Sequence, residues 1–408
     1  MRRSTHKIGV LTLPILLAVL SFVLSAFFLA RNFVSNDAVN ISTSHQSFID
    51  TDVAAPTLAR PDHSPHILLV TAFFPLSKSK HPLRDYNRWI SFYLQTITTD
   101  IYLFTTPDYE PVLRQARGDL PITFNTSYGS PWDIPPLRDL QSKYQEMWNW
   151  DREKRRHSPE LYAIWNGKPF FLDEGAKNAV TVSGRTYDYA FWNDAGSFRN
   201  GDIYQGWPDG LRVQQVFQQA AKATNSNLGT ENLFFIPISS LPSPLARSWN
   251  ESLGPLDEEI SQGSFFGGSP TAVSWWRNVY YAYHDHWLSR PFFVGKDQTI
   301  INGLLLLFPS RFMTYIYYGE GVGQGKCASS WFYYQFWLSS SESMDRLRRV
   351  WNGKWSWQWY WDWKHGYVSW SFPSCRIART RTMMELLKRA FGDGWEHPKS
   401  SFVQEGRA

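Results

Sequence analysis

Three short stretches carry almost unbroken apolar side chains: His66-Ile-Leu-Leu-Val-Thr-Ala72, Ile101-Tyr-Leu-Phe-Thr105 and Tyr187-Asp-Tyr-Ala-Phe-Trp192. A strand with one wet face alternates apolar and polar residues. A strand that does not alternate is covered on both faces, as in a parallel sheet sandwiched by helices. A helix-like stretch from Asp85 to about Thr98 lies between the first two runs, Pro121 to Phe124 reads as a short third strand, and Glu160 to Val180 reads as a helix leading into the last run. That succession predicts an α/β chain with a largely parallel sheet. Further on, Phe265 to His286 reads as strand, turn and helix, and Asp297 to Leu307 as another helix. Residues 224–262, rich in Gly, Pro and Ser, read as a polar surface segment, and Arg152 to Arg156 as a solvated charge run. No internal repeat of 20–50 residues is present.

Composition excludes several classes. Charged residues are 19% and hydrophobic ones 43%, so a long disordered chain is not expected. Two cysteines rule out a disulfide-dense scaffold or a cysteine-ligated zinc module. A formal charge of +5, without a basic stripe, gives no footprint for nucleic acid. The unusual figure is 21 Trp, more indole than a core alone ordinarily uses, since each needs a partner for its N–H.

Ile8 to Ala30 is a 23-residue run with no charged side chain. At about 1.5 Å per residue it spans roughly 34 Å, enough for the hydrocarbon core of a bilayer. Arg2, Arg3 and Lys7 precede it and Arg31 follows, which places the short tail in the cytosol. The run is longer than the apolar region of a cleaved signal peptide, so an uncleaved type II anchor is expected. The layout is then a cytosolic tail (1–7), a transmembrane anchor (8–30), a Ser/Thr/Asp/Pro-rich stem (31–65), a catalytic domain (66–325) and a Trp-rich C-terminal extension packed on it (326–408). The body would lie in the lumen of the Golgi or ER. Sequons at Asn40, Asn125 and Asn250 agree with that, although chance composition gives about as many. Cys327 and Cys375 are either one disulfide or two buried thiols.

In open α/β sheets ligands bind beyond the carboxyl ends of the strands. Asp194 stands at such an end, followed by Gly196, which admits a close ligand or backbone. Asn193 and Asp194 read either as ligand-binding groups or as a turn or cap. A hard cation, Mn²⁺ or Mg²⁺, would share such a carboxylate with substrate phosphates. Asp297 reads as a functional carboxylate or as the cap of the helix beginning near Gln298. Lys168 would reach a phosphate or be solvated. Thr71 and Phe73 are placed to meet a nucleotide base, and Arg84 and Arg88 to meet phosphates.

Four short motifs, Trp165-Asn-Gly-Lys-Pro-Phe-Phe171, Tyr189-Ala-Phe-Trp-Asn-Asp-Ala-Gly196, Phe265-Phe-Gly-Gly268 and Lys296-Asp-Gln298, resemble in their order the bacterial HtrL/YibB-like family. That family is similar to GT-A glycosyltransferases, which use nucleotide sugars, and the resemblance covers about residues 66–310. It implies a GT-A-like, Rossmann-type mixed sheet flanked by helices. It also implies a nucleotide diphosphate sugar as donor and a glycan or glycoprotein as acceptor. Asp194 would match the last Asp of the Asp-x-Asp metal motif, whose first position here holds Trp192. Gly267 and Gly268 would form a glycine turn on the acceptor side, with Gln298 nearby. Asp297 would be the acceptor-side carboxylate, a base in an inverting enzyme or an orienter in a retaining one. A late histidine, His365, would be a further metal ligand.

Trp355, Trp357, Trp359, Trp361 and Trp363 alternate with polar or smaller positions, so an extended chain shows five indoles on one face over about 27 Å. Trp357 and Trp359 at its centre are candidates for stacking on a sugar; the other reading is a core-facing strand. His284 and His286 are two apart and do not share a helix face. The expected activity is metal-assisted glycosyl transfer. A membrane-anchored lectin or a glycoside hydrolase built on Asp194 and Asp297 are the alternatives. The transferase reading requires Asp194 to face an opening and not to be consumed in a buried ion pair.

Overall fold

The computed structural model describes residues 64–76, 78, 81–201, 204–224, 228–317, 330–350, 377–401 and 403. The apolar runs form the middle of a sheet: β1 (Ile67–Phe73), β2 (Asp100–Thr105), β3 (Ile122–Asn125) and β4 (Tyr189–Asn193) are mutually parallel in the order β3-β2-β1-β4. β1 is buried along its whole length, as an unalternating strand must be. The sheet continues through β6 (Phe265–Gly268), β5 (Phe234–Phe235), β7 (Phe312–Thr314) and β8 (Arg381–Thr382), giving eight strands among the described residues. β6 is antiparallel to both β4 and β5, β7 is parallel to β5, and β8 is antiparallel to β7.

The helices are α1 (Leu83–Thr96), α2 (Glu110–Arg117), α3 (Gln141–Trp148), α4 (Pro159–Ser183), α5 (Gly210–Ala223), α6 (Pro270–Leu288), α7 (Asp297–Leu307), α8 (Tyr333–Trp337), α9 (341–350) and α10 (Met383–Phe391). Side chains of α4, α6, α7 and α10 form a core on one sheet face with Val70, Trp192 and Phe266, and those of α1, α5 and α8 form a core on the other with Leu69, Phe191 and Phe265. The consecutive residues of each strand thus divide between two dry layers. Local signals set the ends. The Ser158 hydroxyl accepts from the Leu161 N–H at the start of α4, with Pro159 next, and Gly184 ends the helix at φ 66°, a left-handed turn that glycine adopts without cost.

Several expectations change. Residues 224–262 are no polar surface segment: Leu233, Phe234, Phe235, Ile236 and Ile238 are buried in the two cores, and two of them form β5. A strand of two or three residues is too short to show a period, and β7 and β8 escape sequence reading for the same reason. Much of the indole is core after all, with Trp192, Trp207, Trp276, Trp287 and Trp337 fully buried. Trp287 donates its N–H to the Glu251 carbonyl and Trp337 to the Ala378 carbonyl, both distant in sequence. Within the extension assigned to 326–408, Arg381 and Thr382 belong to the same sheet as β1, and α10 packs on it. The anchor at 8–30, the stem, the row Trp355–Trp363 with Trp357 and Trp359, His365, Cys327 and Cys375 lie outside the described residues. Among the described residues no helix is long and apolar enough to cross a membrane.

Candidate functional site

From β1 the chain steps outward to β2 and β3, then returns to place β4 on the other side of β1. Strand order reverses between β1 and β4, and in such sheets the carboxyl ends flanking the reversal open a crevice. Phe73 closes β1 there, and Asn193 closes β4, with Asp194 next in the chain. Because β6 runs the other way, the segment leading into it, residues 261–264, crosses the same end, and the Asp194 N–H donates to the Ser264 carbonyl (2.9 Å).

At the centre stands the ammonium of Lys168, midway along α4 and 3% exposed. Its Nζ donates to the Gly263 carbonyl (2.8 Å) and pairs with Asp297 Oδ2 (2.9 Å) and Asp194 Oδ1 (3.3 Å). Three acceptors meet three N–H donors, so Lys168 is neither solvated nor free to hold a phosphate. Burial pushes its pKa down, but the two carboxylates together outweigh that and hold it above the ordinary value. Asp297, at the first position of α7 and 4% exposed, has its pKa raised, by burial first, with Lys168 opposing and Asp194 adding to the rise. Its Oδ1 accepts from the Gln298 N–H (3.0 Å), and Gln298 spends its side-chain amide on the Ser261 carbonyl (2.6 Å). An added Cβ at Gly263 would lie 2.8 Å from Asp297 Oδ2, so this glycine lets the carboxylate approach.

Asp194 differs from Asp297 in being 35% exposed. Its Oδ1 also accepts from the Trp192 indole N–H (2.7 Å), so the last core residue of β4 facing α4 braces Asp194. Its Oδ2 takes no hydrogen bond or ion pair among the described residues, and the side chain is partly exposed. The ion pair that would have told against a ligand role is therefore real, but it engages one oxygen and leaves the other open.

Placement comes from α4. Pro169 removes a donor from the helix interior, and the Tyr281 hydroxyl serves the neighbouring Asn166 carbonyl (2.8 Å). The Asn166 amide donates to the carbonyls of Val294 (3.1 Å) and Gly295 (3.2 Å), and its Oδ1 accepts from the Tyr280 hydroxyl (2.6 Å). One turn of α4 thereby holds both the ammonium and the loop that delivers Asp297. Three of the four motifs named above, distant in sequence, meet around this single charge, together with Gly263 just ahead of the fourth.

Other expected site residues lie elsewhere. Gly267 and Gly268 are not a turn but the buried end of β6, where an added Cβ would stand 2.1 Å from the Ala190 carbonyl oxygen or 2.7 Å from that of Leu233. They are small because strands crowd them, and pairing with Phe191 and Ala190 puts them toward the amino end of β4. Asn193 is buried on the other sheet face, donating to the Asp194 carbonyl (3.2 Å) and accepting from Ser197 (3.1 Å). Thr71 is fully buried inside β1, and Phe73 packs on Tyr109 with ring centroids 5.0 Å apart, so neither presents itself to a base. Arg84 and Arg88 are exposed on the first turns of α1 and lie 3.7 and 4.0 Å from Asp85. His284 is buried against the Tyr144 hydroxyl (2.7 Å).

The residues that sequence reading missed flank Asp194. Tyr86 and Trp89 of α1 pack against Gly196, and the Arg199 guanidinium lies over the Trp89 ring (4.3 Å) and the Phe332 ring (5.1 Å). Its Nε donates to the Gly196 carbonyl (3.1 Å). The Tyr86 pKa is raised by burial, with Arg199 lowering and Asp194 raising it, so its hydroxyl feels both charges. Only the position of Arg199, five residues beyond Asp194, hinted at this.

A Mn²⁺ or Mg²⁺ ion takes about six oxygen ligands. Among the described residues no three His, Cys, Asp or Glu cluster to hold a metal, and Asp194 offers one open oxygen beside a fixed ammonium. These residues alone do not fit a divalent cation. A cavity of about 440 Å³, lined by His66, Ile67, Thr99, Asp100, Arg185 and Tyr187, sits at the opposite, amino ends of β1 and β2. There Asp100 already takes Arg185 (2.9 Å) and the Tyr187 hydroxyl (2.8 Å).

No protein-family model matches the chain, and no curated protein does. Among solved structures it is similar to mouse xyloside xylosyltransferase 1 in its apo form, at 11% identity over 61% of this chain and 83% of that one, TM-score 0.30. It is similar to core-mannan synthase A from Aspergillus fumigatus in a Mn/GDP form, at 13% identity over 68% and 80%, TM-score 0.36. It is also similar to 4-diphosphocytidyl-2C-methyl-D-erythritol synthase from Anaerococcus prevotii, at 8% identity over 62% and 87%, TM-score 0.25. Likeness at this level decides neither family nor activity.

Proposed function

We propose that the chain is a glycosyltransferase of the Golgi or ER lumen, anchored through residues 8–30. It moves a sugar from a nucleotide diphosphate sugar to a glycan or glycoprotein acceptor. The observation that supports this is the half-open carboxylate of Asp194 at the point where strand order reverses. Open α/β sheets bind nucleotides at this end, and the acceptor that stands there is braced. In this reading Lys168 keeps Asp194 ionised and in one rotamer, and the open Oδ2 accepts a hydrogen bond from a hydroxyl of the donor sugar. Asp297 reaches nothing outside the core, so it acts as a positioning residue for Lys168. No step is routed through a metal.

The hydrolase alternative loses its basis in this pair. A glycosidase needs two carboxyl groups about 5–10 Å apart, with the scissile bond between them. Here an ammonium fills that gap and one carboxyl is buried. The test is nucleotide-sugar turnover by the full-length chain in detergent across a panel of donors. We expect turnover of at least one donor and about 100-fold loss in Asp194→Ala, the scale of losing one oriented transition-state contact. Binding of glycans with no response to any nucleotide sugar would favour a lectin instead.

A further inference from the structure

Within the nucleotide-sugar reading, on which this inference rests, the diphosphate needs a positive partner, and neither the buried Lys168 nor the described metal donors supply one. We propose that Arg199 is the diphosphate-binding residue, taking the phosphate oxygens on its two open Nη groups without a divalent cation. Three features fix it for that task. Stacking on Trp89 and Phe332 holds the guanidinium plane, and the bond from Nε to the Gly196 carbonyl sets its rotation. Among the described residues both Nη groups donate to nothing and no carboxylate pairs with Arg199, although it is exposed.

An arginine whose fork is aimed in advance loses little rotamer freedom when a phosphate arrives, and the fork matches two phosphate oxygens at once. The anchor that aims it, Gly196, is two residues from Asp194, so one short turn would hold the sugar-facing acceptor and the phosphate-facing donor. Arg84 and Arg88, expected from sequence to meet phosphates, already share Asp85, and among the described residues neither lies over an aromatic ring.

The experiment is calorimetric binding of UDP, GDP and inorganic pyrophosphate to the full-length chain in detergent, with EDTA or with Mn²⁺. We expect one nucleoside diphosphate to bind in EDTA and Arg199→Ala to weaken it about 10- to 100-fold, the range of charge-assisted hydrogen bonds. Arg199→Lys should recover only part, because a point charge lacks the fork. Arg152→Ala, an exposed arginine paired with Asp257, serves as the control and should bind as wild type. Nucleotide binding that ignores Arg199→Ala, or that occurs only with Mn²⁺, overturns the inference. Pyrophosphate binding lost in Arg199→Ala, with no nucleotide bound under any condition, upholds the anion site and overturns the transferase reading. No binding of any of the three probes overturns both.

Discussion

Lys168 carries one positive charge between two negative ones, and that arithmetic governs what substitution does there. Replacing it by Met leaves Asp297 buried with no counter-charge, which costs about 3–5 kcal/mol. The loss should depend on pH. Asp297 already binds a proton more tightly in the folded than in the unfolded protein, so its contribution is fully present below the ordinary carboxylate value of 3.8 and fades as pH rises through the folded value. Without Lys168 that window widens upward, and Lys168→Met should be far less destabilised at pH 5 than at pH 8 in urea titrations. The double variant Lys168→Met with Asp297→Asn should recover most of the difference. In the wild type Lys168 itself adds stability up to its ordinary value of 10.5, lost only as pH climbs through its higher folded value. Equal loss for Lys168→Met at both pH values would mean that Asp297 is not the group left stranded.

Among the elements, β6 separates packing from chemistry. Gly267→Ala would press a methyl into the Ala190 carbonyl and force β6 away from β4, costing about 3 kcal/mol and lowering the melting temperature. Gly196→Ala meets Trp89 at 3.4 Å and Tyr86 at 3.5 Å, ordinary contact, and should melt like wild type. A Gly267→Ala protein of unchanged stability would restore the turn expected from sequence. The elements themselves were legible where they were long. The expected helix at 160–180 is Pro159–Ser183, that at 297–307 is found with the same ends, and the apolar runs are β1, β2 and β4. What could not be read was which faces meet. The pair Phe265-Phe266 looks alike as a turn flank or a strand, and burial of Lys168 depends on acceptors 26, 95 and 129 residues away. The place of Asp194 just past the end of β4 was legible because a strand end is a local signal. Arg199 was not, because its aromatic supports come from α1 and from Phe332, which sequence spacing does not join.

At the scale of the whole molecule, the sheet draws on both ends of the described chain. Met383, Leu386, Leu387, Phe391 and Trp395 are buried, and each is worth about 1.5–3 kcal/mol. Their sum rivals the 5–15 kcal/mol that holds an ordinary domain together. A chain ending at residue 376 should therefore be recovered unfolded or aggregated. If it were soluble with a cooperative melt, the C-terminal strand and helix would be an appendage. The three-cornered charge arrangement has a further bearing on descent. A lineage that loses any one of positions 168, 194 and 297 inherits an imbalance which only a second change nearby can repair. Drift at these sites should come in matched sets, and a homologue with an apolar residue at 168 should also have a neutral one at 297.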